Sequence, residues 1–127
     1  MARAVGWLPM KVPSEVLAEL SRELGVEIGV IEGFANWLLG NYLARYPSVG
    51  LLRLAIDVLN SGDSRVARFR RALGINSTLD VEANINDPLF TKLLTAVRDV
   101  VKALAKAGLV EYVEELDVVN MPQSNCT

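Results

Sequence analysis

Residues 30–59 constrain this chain more than any other stretch. They read Val30-Ile31, Phe34, Trp37-Leu38-Leu39 and Tyr42-Leu43, then resume after Pro47 as Leu51-Leu52, Leu54-Ala55-Ile56 and Val58-Leu59. Apolar residues recurring every three or four positions mark one face of a helix. Two such patterns share the span, and Pro47 divides them because it disfavours helical geometry in the residue before it. No other part of the chain is as apolar. The pair is expected to form a core that flanking helices cover, and 127 residues leave room for one such core.

The flanking segments carry their own start and stop signals. Ser14 predicts the N-cap of a first helix, with Glu15 complementing the helix dipole. Leu17, Leu20 and Leu24 form its apolar stripe, and Gly25 supplies the left-handed residue that ends helices. A second helix is expected from Ile28 to Tyr46, with Gly29, Gly33 and Gly40 on one side, where they would let another helix approach closely. Ser48 predicts the cap of a third helix over 49–59, ended by Asn60-Ser61-Gly62. Asp63 or Ser64 caps a fourth that reaches Leu73, with Gly74 as its stop. Asp87-Pro88 opens the last helix with a capping carboxylate followed by proline at the first helical position. Its apolar face is Phe90, Leu93, Leu94, Val97, Val101 and Leu104, and Gly108 closes it.

Between the fourth and last helices, residues 79–86 alternate apolar and polar side chains, the pattern of a half-buried strand. Such a strand needs a partner from 109–113, 116–121 or the N-terminal segment. Otherwise the stretch is an extended loop lying on the helices. The expectation is a mostly α, compact single-domain bundle of about five helices with one or two short extended segments. A helical domain over 13–119 is flanked by an arm at 1–12 and a polar tail at 120–127.

Composition excludes much chemistry. Histidine is absent, which removes the usual general base, proton shuttle and commonest metal ligand together. With one cysteine besides, zinc and iron–sulfur sites are excluded within one chain. No glycine-rich phosphate loop occurs. Asp80, Glu82, Asn84 and Asn86 suggest a calcium loop, but Ile85 stands where glycine is required and Thr91 where the final carboxylate is required. Carboxylates alone could bind magnesium, yet nothing pairs them in an apolar pocket. We therefore expect no enzyme, no cofactor and no metal. Cys126 cannot form an intramolecular disulfide, no signal peptide is evident, and Arg45, Arg53 and Asp57 interrupt the best membrane-span candidate. A cytoplasmic protein is expected.

Half of the residues are apolar (51%), and the mean hydropathy of +0.28 is high for a chain this small. Part of that surplus should lie on the surface, which favours self-association or a subunit of a larger assembly; a tightly packed monomer is the alternative. Net charge is −2, so any nucleic-acid contact must come from a local patch. The clearest patch is Arg65, Arg68, Arg70 and Arg71. On a helix that buries Val66, Phe69 and Leu73, the residues Arg65, Arg68 and Arg71 fall together beside the stripe, while Arg70 borders its other side. Three guanidiniums on one face can grip phosphates by bidentate hydrogen bonds and counterion release. The alternatives are a solvated face paired with acids such as Asp63, or contact with an acidic protein.

Residues 17–37 resemble the helix-turn-helix family, with Leu17, Leu20 and Leu24 on a first helix, Gly25-Val26 in the turn, and Ile31 and Phe34 on a second. The resemblance implies a dimeric DNA-binding regulator. It departs where function would lie: Ser21 replaces a small apolar residue, and the would-be reading helix offers Glu27, Glu32 and Asn36 with no base before Arg45. Residues 101–113, with Ala107-Gly108-Leu109-Val110, look like the helix-to-wing passage of winged-helix proteins, although that wing would carry Glu111, Glu114 and Glu115. Ile31-Glu32-Gly33-Phe34-Ala35 through Leu38-Leu39, Tyr42 and Pro47, with the late helix ending Lys106-Ala107-Gly108, resembles the small helical subunit of archaeal type I-A CRISPR surveillance complexes. That resemblance covers about a third of the chain. It implies a non-catalytic protein of antiviral defence that packs beside other subunits and helps hold displaced or paired nucleic acid. Three functions are thus expected in order: an assembly subunit using Arg65, Arg68 and Arg71, a helix-turn-helix regulator, and a protein–protein adaptor.

Overall fold

The computed structural model describes residues 11–122. Most of the predicted arm, and the end of the predicted tail with Cys126, lie outside the described residues. Helix α1 (Ser14–Leu24) is capped by Pro13 rather than Ser14; the Pro13 carbonyl accepts from the N–H groups of Val16 and Leu17 while Ser14 is already helical. Gly25 ends the helix at φ 66°, where its N–H donates to the Ser21 carbonyl. Helix α2 (Ile28–Trp37) passes through a π-helical turn (Leu38–Tyr42) into the short α3 (Leu43–Arg45), so one rod runs to the residue before Tyr46-Pro47. Of the three glycines on that rod only Gly33 faces another helix, where a Cβ would lie 3.5 Å from Cγ of Arg65; Gly29 and Gly40 face open space.

The third helix begins later than its sequence suggests. Ser48–Gly50 forms strand β1, and α4 (Leu51–Asn60) starts only after Gly50, whose backbone is extended at φ −69°, ψ 148°. The cause is long-range: β1 pairs with a strand near the C-terminus, and the Leu51 N–H donates to the Asp117 carbonyl at 2.8 Å. Helix α5 (Ser64–Ala72) is capped by the Asp63 carboxylate, which accepts from the Arg65 N–H at 2.9 Å, and the chain leaves it at Gly74 with φ 92°.

Residues 79–86 are not a strand. A 3-10 turn (Thr78–Asp80) leads into bends held by local hydrogen bonds, from the Asn86 N–H to Asn84 Oδ1 at 2.7 Å and from the Glu82 N–H to Asp87 Oδ2 at 2.8 Å. These side-chain acceptors offer the backbone an alternative to a ladder. Of the apolar side of the alternation only Val81 is buried, while Leu79 is 93% and Ile85 67% exposed. The stretch is a loop, but a turned one rather than an extended one lying on the helices.

Helix α6 (Pro88–Lys106) starts as expected, with Asp87 accepting from the N–H groups of Leu89 and Phe90. Its buried face includes Phe90, Leu93, Val97, Val101 and Leu104, joined by Ala96 and Val100. Strands β2 (Glu111–Val113) and β3 (Val118–Asn120) then form a hairpin, and β1 completes an antiparallel sheet in the order β1-β3-β2 with Val49, Val119 and Tyr112 in register. The two extended candidates near the C-terminus thus pair with each other. Asn120, placed in the tail by sequence, is the last residue of β3. The protein is mostly α, with a small sheet at one side. Helix α2 packs on α1 and α5, while α6 packs on α4, α1 and β2. Phe34 and Phe69 stack at 4.1 Å across the α2–α5 contact, and no polar or charged residue is buried among those described.

Candidate nucleic-acid interface

Helix α5 buries Val66 and Phe69, with Leu73 just beyond its end. That leaves its four arginines at the edges and on the outer face, where the structure treats them in three different ways. Arg65 is engaged. Its Nε and Nη2 donate to the two oxygens of Asp63 at 3.0 and 2.9 Å, and Nη2 also donates to Asn41 Oδ1 at 3.1 Å. The fork geometry makes this a strong charge-assisted pair. The guanidinium holds the Asp63 carboxyl at about 2, well below its ordinary 3.8. The stem of Arg65 lies over Gly33, fixing its direction across α2.

Arg70 serves the fold. Its Nη1 donates to the carbonyls of Val58 and Ser61, both at 2.8 Å, and so closes the C-terminal end of α4, where carbonyls lack intrahelical partners. Burial first, and then neighbouring Arg71, lower its pKa, yet a guanidinium keeps its charge under such shifts. Spacing placed Arg70 apart from the other three but gave no hint of this role, because its acceptors are backbone atoms of another helix.

Arg68 and Arg71 are exposed and make no hydrogen bond or ion pair among the described residues. Beside Arg71 lies a groove of about 320 Å³ lined by Arg70, Arg71, Asn76, Ser77 and Thr78, with Ala67, Ile75 and Leu79 supplying apolar walls. No carboxylate lines it. The unpaired guanidinium of Arg71 beside hydroxyl and amide groups, with no acid in the lining, suits an anionic oxygen. Sequence reasoning missed the Asn76-Ser77-Thr78 contribution; the only signal was three small polar residues directly after the helix stop Gly74.

Lys11, Arg22, Arg45 and Lys92 are likewise exposed without a partner among the described residues, but they are scattered singly, and the remaining basic residues among those described face acids. The cleft between α1, α6 and the hairpin, about 540 Å³, sets Lys102 and Lys106 against Glu19, Glu23, Asp99 and Glu114. Lys102 Nζ lies 3.2 Å from Glu114, and Arg98 pairs with Asp117 at 3.7 Å. Tyr112 also donates to Asp117, and burial together with that carboxylate raises its pKa. The hairpin follows α6 directly, and Glu111, Glu114 and Glu115 are exposed on it. On α2, Asn36 is exposed, Glu32 is half-buried, and Glu27 precedes the helix in solvent.

Among the described residues no group of histidine, cysteine and carboxylate side chains could hold a metal ion, and no helix is long and apolar enough to cross a membrane. No protein-family model, curated protein or solved structure matches the chain.

Proposed function

We propose that this protein is a non-enzymatic subunit of a nucleoprotein assembly that contacts nucleic-acid phosphates through the outer face of α5. A small subunit of the CRISPR surveillance type is the specific form this takes. The observation that carries it is the pair Arg68 and Arg71, exposed and unpaired among the described residues, with Arg71 lining a groove that no carboxylate lines. Arg65 is a reserve contact. Its pairing with Asp63 holds it in place, and a phosphate competing for the same fork would add a third grip. The apolar side chains left in solvent at Leu79, Ile85 and Leu116 favour a chain that packs beside other subunits.

A duplex-DNA regulator is the second reading, favoured by the β2–β3 hairpin that follows α6. The acids on the hairpin and near α2 count against it, since carboxylates repel phosphates. The test is binding of labelled duplex DNA, single-stranded DNA and RNA at low salt by the wild type and by Arg68→Glu/Arg71→Glu. The assembly subunit is expected to bind without sequence preference and to lose at least tenfold in affinity in the variant. Sequence-selective binding to duplex as a discrete dimer, unchanged in the variant, would support the regulator. No binding to any of the three would leave an adaptor and end the nucleic-acid reading.

A further inference from the structure

The π-helical turn places a row of aromatic rings where a regular helix would not. The Leu43 N–H donates to the Leu38 carbonyl, five residues back. In an α-helix of 3.6 residues per turn, side chains five apart diverge by about 140°. Here Trp37 and Tyr42 are five apart, yet their rings lie 5.2 Å apart, and Tyr46 follows Tyr42 at 5.1 Å. On the inner side Trp37 continues to Phe34 at 5.8 Å and thence to Phe69 of α5. The row therefore runs from the buried face of α5 to the surface. Trp37 and Tyr42 are 7% and 6% exposed, whereas Tyr46 is 48% exposed. π turns of this kind occur frequently at functional sites.

Tyr46 borders a cleft of about 490 Å³ that also includes Asn41, Tyr42, Arg45, Asp57 and Ser61. Its polar groups are set in place. The Tyr42 hydroxyl donates to Asp57 Oδ2 at 2.5 Å, and Arg53 Nε donates to both Asp57 oxygens at 3.2 Å. Burial and then the Asp57 carboxylate push the Tyr42 phenol up, so it remains a donor across the physiological range. Gly40 keeps the mouth open, with nothing within 4 Å of where a Cβ would stand. Arg45 lines the cleft, and the Arg65–Asn41 hydrogen bond at 3.1 Å joins it to the arginine face of α5.

We infer that this cleft is a nucleobase subsite, in which an unpaired base stacks on Tyr46 while its edge meets Asn41 and Asp57. The inference rests on the phosphate-contact reading of α5 and narrows its ligand to a single strand. An exposed ring backed by fixed rings is a stacking platform, and the mixed donors and acceptors beside it suit a base edge. Duplex bases are already stacked and cannot enter. Arg65 and Arg71 are six residues apart, about 9 Å along the helix axis. Arg65 stands at the end of that arginine row nearest the cleft, bonded to Asn41 on its edge, so a strand held along α5 leads directly to it.

The test uses the full chain and three labelled oligonucleotides: a single strand, the same strand with abasic sites, and the duplex. Proteins are the wild type, Tyr46→Ala, Tyr46→Phe and Arg68→Glu/Arg71→Glu, each checked for folding by thermal melting. The wild type is expected to bind the strand with bases on the order of tenfold more tightly than the abasic strand. Tyr46→Ala should lose that preference while binding the abasic strand as the wild type does, and Tyr46→Phe should restore it. A base preference that persists in Tyr46→Ala overturns the subsite and leaves the α5 reading standing. An abasic strand bound equally by the wild type and by the arginine variant overturns the α5 reading instead. If the wild type binds no oligonucleotide, both fall.

Discussion

Four arginines within seven positions have three fates here, and no property of the residues themselves separates them. Arg65 is paired with Asp63, Arg70 is spent on the carbonyls of Val58 and Ser61, and Arg68 and Arg71 remain open to solvent. Spacing alone grouped Arg65, Arg68 and Arg71 on one face and made Asp63 a neighbour, because those relations are local. It could not show that Arg70 reaches across to α4. Replacing Arg70 with Met should therefore cost roughly 1–3 kcal/mol by leaving two carbonyls unsatisfied. Nucleic-acid affinity should hardly change, and urea melts and binding curves measured on the same variant check both halves. Asp63 carries a pH dependence of definite sign. Its folded value of about 2 lies below the ordinary 3.8, so its stabilisation is complete above about pH 4 and is lost as pH falls through about 2. The stability gap between wild type and Asp63→Asn in urea melts should be constant from pH 7 to 5 and shrink towards pH 2. The same variant keeps a capping oxygen but releases Arg65, so it should bind nucleic acid more tightly than the wild type.

At the scale of elements, helix ends were legible wherever the signal was local. Gly25, Gly74 and Gly108 all take positive φ just past their helices, and Asp87-Pro88 opens α6 as its chemistry demands. Elements that depend on distant partners were not. Strand β1 reads as the first turn of α4 until Val119, seventy positions further along, pairs with Val49. The alternation at 79–86 reads as a strand until the local acceptors Asn84 and Asp87 take its N–H groups. The π turn had no sequence signal beyond the awkward five-residue spacing of Trp37 and Tyr42. Glycine was over-read in α2: of three proposed contact points only Gly33 meets a helix, at a distance a methyl group fills comfortably. Gly33→Ala should thus stabilise the protein by up to about 1 kcal/mol through helix propensity. Gly74→Ala, at φ 92°, should destabilise it by about 1–2 kcal/mol because an L side chain resists that backbone region. Opposite shifts of the melting midpoint in the two variants check this pair.

Across the whole molecule, charge is partitioned by face. Acids dominate the side formed by α1, the outer face of α6 and the hairpin, while Arg68 and Arg71 of α5 have no carboxylate partner among the described residues and none lines the groove beside Arg71. A chain of net charge −2 can hold a polyanion only through such a local concentration, and the hold must then weaken steeply with salt. The apolar pattern made the helical core legible because burial repeats along the chain; the charge pattern was legible only in part, because faces are assembled from segments distant in sequence. The most direct measurement is the salt dependence of binding to a labelled single strand, for the wild type and for Arg68→Glu/Arg71→Glu. On a plot of log affinity against log salt concentration, each phosphate contact contributes a slope of about −0.7, so loss of two contacts should flatten the line by about 1.4. Parallel lines of equal affinity would contradict a phosphate-binding role for α5.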